Sequence, residues 1–210
     1  CVSLYFFLNY PVPAYSGELK VKGLKEEVNV HYDEYAIPHI YAANAEDAYF
    51  SLGYIQARER LFQMEMMKRV GSGRLSEMFG KDLINIDRLF RTIGIGVQAK
   101  KNVDALKKKK GLPMNQFAKS FLRGINAFVE NGKTPIEYSI LGIEKELFKM
   151  EDMYHIGGYM AYSFALGLKT DPLLSWMEKN LGEEYVKDID ALWPKNSKKI
   201  PVYFEPKENI

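Results

Sequence analysis

Val28, Val30 and Tyr32 alternate with Asn29 and His31, the period of two expected of a half-buried strand. Residues 20–43 are therefore expected to hold two or three short strands, with Pro38 at an edge position or in a turn. From Asn44 the period changes. Asn44 is a capping residue with Asp47 three positions later, and Ala48, Leu52, Ile55, Phe62 and Met66 recur at helical spacing. A second row, Phe50, Tyr54, Ala57, Leu61 and Met64, widens that face. The pattern predicts an enclosed helix of about 20 residues.

GSGRLSEMFG interrupts the pattern, and a short helix is expected over 74–79. A polar helix follows over 96–110. An amphipathic one over 115–131 carries Phe117, Phe121, Ile125 and Phe128 on one side and stops at Gly132. Beyond a loop holding Pro135 and Gly142, one helix opens at Glu151-Asp152 and another at Asp171-Pro172, where an Asp cap precedes a Pro at the first helical position. A last short helix is expected over 184–192, before the extended, Pro-rich WPKNSKKIPVYFEPKENI. The organisation is an N-terminal leader or arm over 1–19, one domain over 20–195 (a β entrance at 20–43 and a helical body at 44–195), and an extended segment over 196–210. The fold class is α+β, mainly helical with a short N-terminal β region.

Of the 210 residues 47% are hydrophobic, enough for a real core, and 29 basic against 27 acidic side chains leave a net charge of +2. That balance gives no electrostatic case for nucleic acid. The one dense basic run, Lys107 to Lys110, reads as cations at a helix C-terminus before a Gly stop, or as a polyanion contact. A single cysteine, Cys1, excludes an internal disulfide and a Cys-based zinc site. Three histidines without short spacing argue against a His-based metal site. The opening CVSLYFFLNYPVPAYSGEL is apolar and aromatic but too short to span a bilayer, which takes roughly 20 residues. It reads as the remnant of a signal or membrane anchor, as a docking arm, or as a segment behind a lipid-modified Cys1. All but the docking arm imply export, to the periplasm or the outside.

Pro38-His39 lies between two Ile residues, just after Asp33-Glu34. His39 could be a base or a structural residue, yet no nucleophile stands near it in sequence, and P-loop, GxGxxG, HExxH and GxSxG motifs are all absent. The surrounding stretch resembles a known pattern. From Asp33 to Gly80, Pro38-His39-Ile40, Gly53-Tyr54, Ala57, Glu59-Arg60-Leu61, Gln63-Met64-Glu65, Gly73-Arg74-Leu75, Glu77 and Gly80 match the opening of the α subunit of penicillin acylases and acyl-homoserine-lactone acylases. Pro135, Glu137, Leu141-Gly142, Glu151-Asp152 and Met160-Ala161-Tyr162 continue the likeness. Three departures stand out: Ala36 where Gly is usual, Arg58 where Gln is usual, and Phe148-Lys149-Met150 in place of W-x-P.

The resemblance implies an αββα N-terminal-nucleophile hydrolase completed by a β subunit from the same precursor. The nucleophile would be the N-terminal Ser of that β chain, its own amine the base, so no catalytic residue is expected in this chain and no cofactor is needed for catalysis. The expected substrate is a small N-acyl amide. On the family pattern Met160 and Phe164, one helical turn apart, would border the acyl pocket. By spacing alone they read as plain core. Ser163 would stand where a larger polar gate occurs in some members and would leave a wider mouth. Asp171 would supply one carboxylate to a structural calcium at the subunit interface, against a simpler role as a helix cap. Arg60 and Glu65 are expected in buried ion pairs or hydrogen bonds, and His39 as a hydrogen-bonded landmark. The alternative from another class is a non-catalytic helical binding or scaffold protein derived from this family.

Overall fold

Asn29 and His31 point outward and Val28, Val30 and Tyr32 inward, because β1 (Val28–Tyr32) pairs antiparallel with β2 (Pro38–Ala42) in the register Val28↔Ala42, Val30↔Ile40, His31↔His39 and Tyr32↔Pro38. Pro38 opens β2, where a missing N–H costs the hairpin least. The computed structural model describes residues 15–109, 111–165, 167–182 and 184–185, with the backbone alone for 167–171. After the hairpin come α1 (Ala45–Ser72), α2 (Ser76–Phe79), a 3₁₀ turn (Lys81–Leu83), α3 (Ile84–Ile93), α4 (Ile95–Lys108), α5 (Pro113–Asn131), α6 (Ile136–Leu141), α7 (Met150–Phe164) and α8 (Gly167–Leu181). The chain divides into two compact units, Cys1–Tyr162 and Ser163–Ile210.

The hairpin turn is built by Asp33. Its Oδ1 accepts hydrogen bonds from the amides of Tyr35 and Ile37, both at 2.9 Å, which draws the chain into a loop tight enough to put Ala36 at φ +59°. At the other end of β2 the start of α1 follows the sequence expectation: the Asp47 amide donates to Asn44 Oδ1 (2.9 Å) and Asn44 Nδ2 donates back to Asp47 Oδ2 (2.7 Å). Asp47 is buried, and it also accepts from the amides of Lys25 and Glu26. It thereby ties the segment before β1 to the first turn of α1.

α1 has 28 residues rather than about 20. It is broken at Arg60, whose φ −142° and ψ 26° leave the helical region. The inward face takes the second expected row, with Phe50, Ala57, Leu61 and Met64 buried, together with Ile55 of the first, whereas Leu52 is exposed. Glycine decides this. A Cβ on Gly53 would meet the Phe121 carbonyl oxygen at 2.1 Å, and one on Gly124 would meet that of Phe50 at 1.9 Å. α1 and α5 thus cross in reciprocal backbone contact, and the row beside the crossing is the one that packs. Ala57, Leu61 and Met64 of α1 form the core with Ile125, Phe128 and Val129 of α5, Tyr138 of α6 and Phe148.

Two helices have no counterpart in the sequence expectations. α3 carries Ile86, Leu89, Phe90 and Ile93 at helical spacing, yet buries only Asp87 and Phe90. Asp87 accepts hydrogen bonds from the Leu75 and Ser76 amides (2.7 and 3.0 Å), taking up the free donors at the start of α2. α6 is a single turn and a half set into the expected loop, closed by Gly142 at φ +65°. The basic run ends α4 as expected, and Asn115 Nδ2 donates to the Leu106 and Lys109 carbonyls there. In the second unit α8 begins at Gly167 instead of Asp171, and it carries Pro172 inside its second turn. Leu173 and Trp176 of this helix are 57% exposed. The helix expected over 184–192 lies almost wholly outside the described residues.

Candidate functional site

α7 begins with a reciprocal cap. The Lys149 amide donates to Asp152 Oδ2 at 2.7 Å and the Asp152 amide to the Lys149 carbonyl at 3.0 Å. Burial pushes the Asp152 carboxyl up, but hydrogen bonds from His155 and the Lys149 amide outweigh it and hold the group below the usual carboxylate range. The inner face of the helix is fixed by close contacts. A Cβ on Gly71 of α1 would meet the His155 carbonyl oxygen at 2.3 Å, and one on Gly158 would meet Ile95 Cγ2 at 2.6 Å. Tyr159 and Tyr162 pack edge-on against Phe90 with centroids 5.8 and 5.1 Å apart.

In the first unit the outer face is a stripe at positions 157, 160 and 161, where Gly157, Met160 and Ala161 are exposed, Met160 at 44%. Ser163 and Phe164 belong to the second unit, and both are exposed there, Phe164 at 81%. Within this chain, then, neither Met160 nor Phe164 is core. Gly157 is the residue that reading the sequence missed. A Cβ there would meet nothing within 4 Å among the described residues, so no described packing requires glycine. The available signal was its i, i+3 spacing to Met160 in the middle of a helix, where glycine costs about 1 kcal/mol against alanine. Gly157 also borders a groove of about 320 Å³ running between α7 and the start of α4.

On the other side of α7's first turn lies a buried ion network. Glu65 Oε1 accepts from Arg69 Nε at 2.6 Å, and its Oε2 lies 2.7 Å from Lys68 Nζ, with Glu65 and Lys68 almost wholly shielded from solvent. Arg69 continues to Glu77 at 3.0 Å and, with Lys68, to Glu146 at 3.5 Å. The Lys68 ammonium sits 4.6 Å from the centre of the Phe148 ring, and Phe148 is held at both its amide and its carbonyl by the Asn126 side chain, at 2.8 and 2.9 Å. Burial pushes the Tyr138 hydroxyl far above its ordinary range beside this network. The expectation for Glu65 holds. Arg60 instead is exposed and bonds Gln63 at 3.1 Å.

His39 is half exposed, with Nε2 3.1 Å from Asp33 Oδ2, so it reinforces the hairpin turn. It stands opposite His31, which the sequence separation did not suggest. The Arg58 guanidinium lies over the rings of Tyr15 and Tyr32, 5.3 and 5.5 Å from their centres, and donates to the Tyr32 hydroxyl. Asp171 falls within α8, and its side chain lies outside the described residues. Among the described residues no group of three His, Cys, Asp or Glu side chains is placed to hold a metal ion, and no helix is long and apolar enough to cross a membrane.

A helical body entered through a two-stranded hairpin, with an outward apolar stripe on α7, can now be compared with known proteins. The family model for penicillin amidase matches residues 27–201. The chain belongs to the penicillin amidase family. It is similar to the Penicillin acylase 2 proenzyme of Pseudomonas sp. (strain SE83), at 37% identity over 140 residues covering 66% of this chain and 18% of the proenzyme. It is similar too to the acyl-homoserine lactone acylase QuiP of Pseudomonas syringae pv. syringae (strain B728a), at 32% identity over 158 residues, 74% of this chain and 19% of that protein. The chain therefore spans about a fifth of the length of the curated relatives it matches. A thermostable penicillin G acylase from Alcaligenes faecalis superposes with a TM-score of 0.59 at 23% identity, covering 87% of this chain and 98% of that one. The fold is thus the one found in that penicillin G acylase chain.

Against the penicillin amidase pattern, two departures acquire physical meaning. Ala36 occupies a left-handed conformation that glycine adopts without strain. Phe148, standing where that pattern has tryptophan, is buried and offers its ring face to Lys68.

Proposed function

We propose that this chain forms the α subunit of an exported, penicillin-acylase-like amidohydrolase that cleaves the acyl amide bond of a small N-acyl compound. In this reading the β chain of the same precursor carries an N-terminal Ser nucleophile. Its α-amino group, with an ordinary pKa near 8, is the base. The observation that carries the reading is the outer stripe of α7 in the first unit: in a chain of this family, Met160 sits exposed on a helix whose other side is locked by close contacts. A large apolar side chain turned outward from such a helix suits a wall facing an acyl group. Met adapts to different acyl shapes and Phe supplies a flat surface. Ser163 leaves the mouth of such a pocket wider than a long polar side chain would. Asp171 would give a structural calcium one hard oxygen ligand, the others lying outside the described residues, and no step of the reaction is assigned to that ion.

The test is co-production with the β chain and assay on chromogenic N-acyl amides of several acyl lengths, with and without chemical blocking of the β-chain N-terminal amine. Turnover abolished by blocking is expected. No turnover at any acyl length would sink the proposal and favour a binding or scaffold protein of the same family.

A further inference from the structure

Among the described glycines inside α1, α5 and α7, Gly53, Gly71, Gly124 and Gly158 are each accounted for by an atom of this chain less than 3 Å from where a Cβ would sit; Gly157 is not. A helix-interior glycine weakens the helix and here gains nothing from packing against the described residues. It lies between two features. On one side of Gly157 runs the outer stripe, with Met160 three residues on. On the other side lies the groove of about 320 Å³, at the small end of the range for ligand pockets. The groove's walls are Ile93, Ile95, Ala99 and Tyr154. Its polar rim, Gln98 and Asn102, is joined through a hydrogen bond from Gln98 Nε2 to Asn102 Oδ1 at 2.8 Å. The apolar walls therefore present a path suited to hydrocarbon and unsuited to a charged group.

We infer that Gly157 is a specificity-determining residue: it lets an acyl chain extend past Met160 and over the α7 backbone into this groove. The substrate class is then an N-acyl amide whose acyl group is an aliphatic chain longer than a phenylacetyl-sized head. The inference rests on the proposed role of α7 in the acyl pocket.

The experiment compares kcat/KM for a linear series of N-acyl amides, short to long, in the complex with the β chain. Wild type is set against Gly157→Ala and Gly157→Leu. Because a Cβ at 157 would meet no described atom within 4 Å, Gly157→Ala is expected to fold with Tm no lower than wild type, and Gly157→Leu, whose longer side chain starts at the groove's edge, to stay folded. The ratio of kcat/KM for long over short acyl groups should fall about tenfold or more in Gly157→Leu and by less in Gly157→Ala, mainly through KM. Gly53→Ala, remote in the α1–α5 crossing, should lower Tm and leave the ratio unchanged. An unchanged ratio in Gly157→Leu, with hydrolysis intact, overturns the inference and leaves the acylase reading standing. A wild-type complex that hydrolyses none of the amides overturns both.

Discussion

Ala36 holds a backbone conformation with φ +59° because the two amides bound to Asp33 Oδ1 leave the loop no other course. An L side chain pays for that geometry and glycine does not, so Ala36→Gly should stabilise the protein by about 0.5–1 kcal/mol, read by chemical denaturation. A loss of stability would mean that the loop is looser than the hydrogen bonds imply. Asp47 and Asp87 act at the same scale through protonation. Burial pushes both carboxyls up, but hydrogen bonds from Lys25, Asn44 and Glu26 to the first, and from Ser76 and Leu75 to the second, more than offset it and leave both below the ordinary range. In the unfolded chain they titrate near 3.9. The folded state therefore binds fewer protons, and the stability they contribute is complete above about pH 4 and lost as pH falls through the lower folded values. Tm should drop steeply on acidification below about pH 4, and Asp47→Asn should flatten that limb while lowering Tm near neutrality.

At the scale of elements, glycine notches and one charge cluster fix how the helices meet. Gly124→Ala places a methyl where the Phe50 carbonyl oxygen would be 1.9 Å away, so α1 and α5 must part. A loss of about 1–3 kcal/mol is expected in denaturant unfolding. Glu65 balances two cations in a dry site, and Glu65→Gln should cost about 3–5 kcal/mol because Lys68 stays buried with its main partner gone. An effect under about 1 kcal/mol would show that Glu146 and Glu77 suffice to hold both cations. These contacts also explain what could be read from the sequence. The strand alternation, the Asn44 cap and the apolar row of α5 are local signals, and all three were legible. The two apolar rows of α1 were legible too; which of them packs more deeply was not, since a carbonyl from a helix some 70 positions away decides it, and neither was the break at Arg60. α3 was passed over although Ile86, Leu89, Phe90 and Ile93 recur at helical spacing, a row that the fold leaves mostly exposed. Gly157 was passed over because its meaning lies in what is missing from the space in front of it.

For the whole molecule, membership of the penicillin amidase family rests on landmarks spread from the hairpin to α7, and several of the motif residues serve as caps, notches and buried ions. His39 serves the turn. In the first unit Ile86, Leu89 and Val97 are exposed in addition to Met160. If the β chain covers this unit, the amides of α3 and α4 should exchange hydrogen more slowly in the complex than in the chain alone, and equal rates would place the β chain elsewhere.

The exposed Trp176 has a practical consequence. The chain holds two tryptophans, at 176 and 193, and both fall after residue 162. The first unit, with its buried Tyr138 and its Phe-rich helix crossing, is therefore dark to red-edge excitation. Indole emission reports on the second unit alone, and any subunit that settles over α8 should announce itself as a blue shift, with no label added.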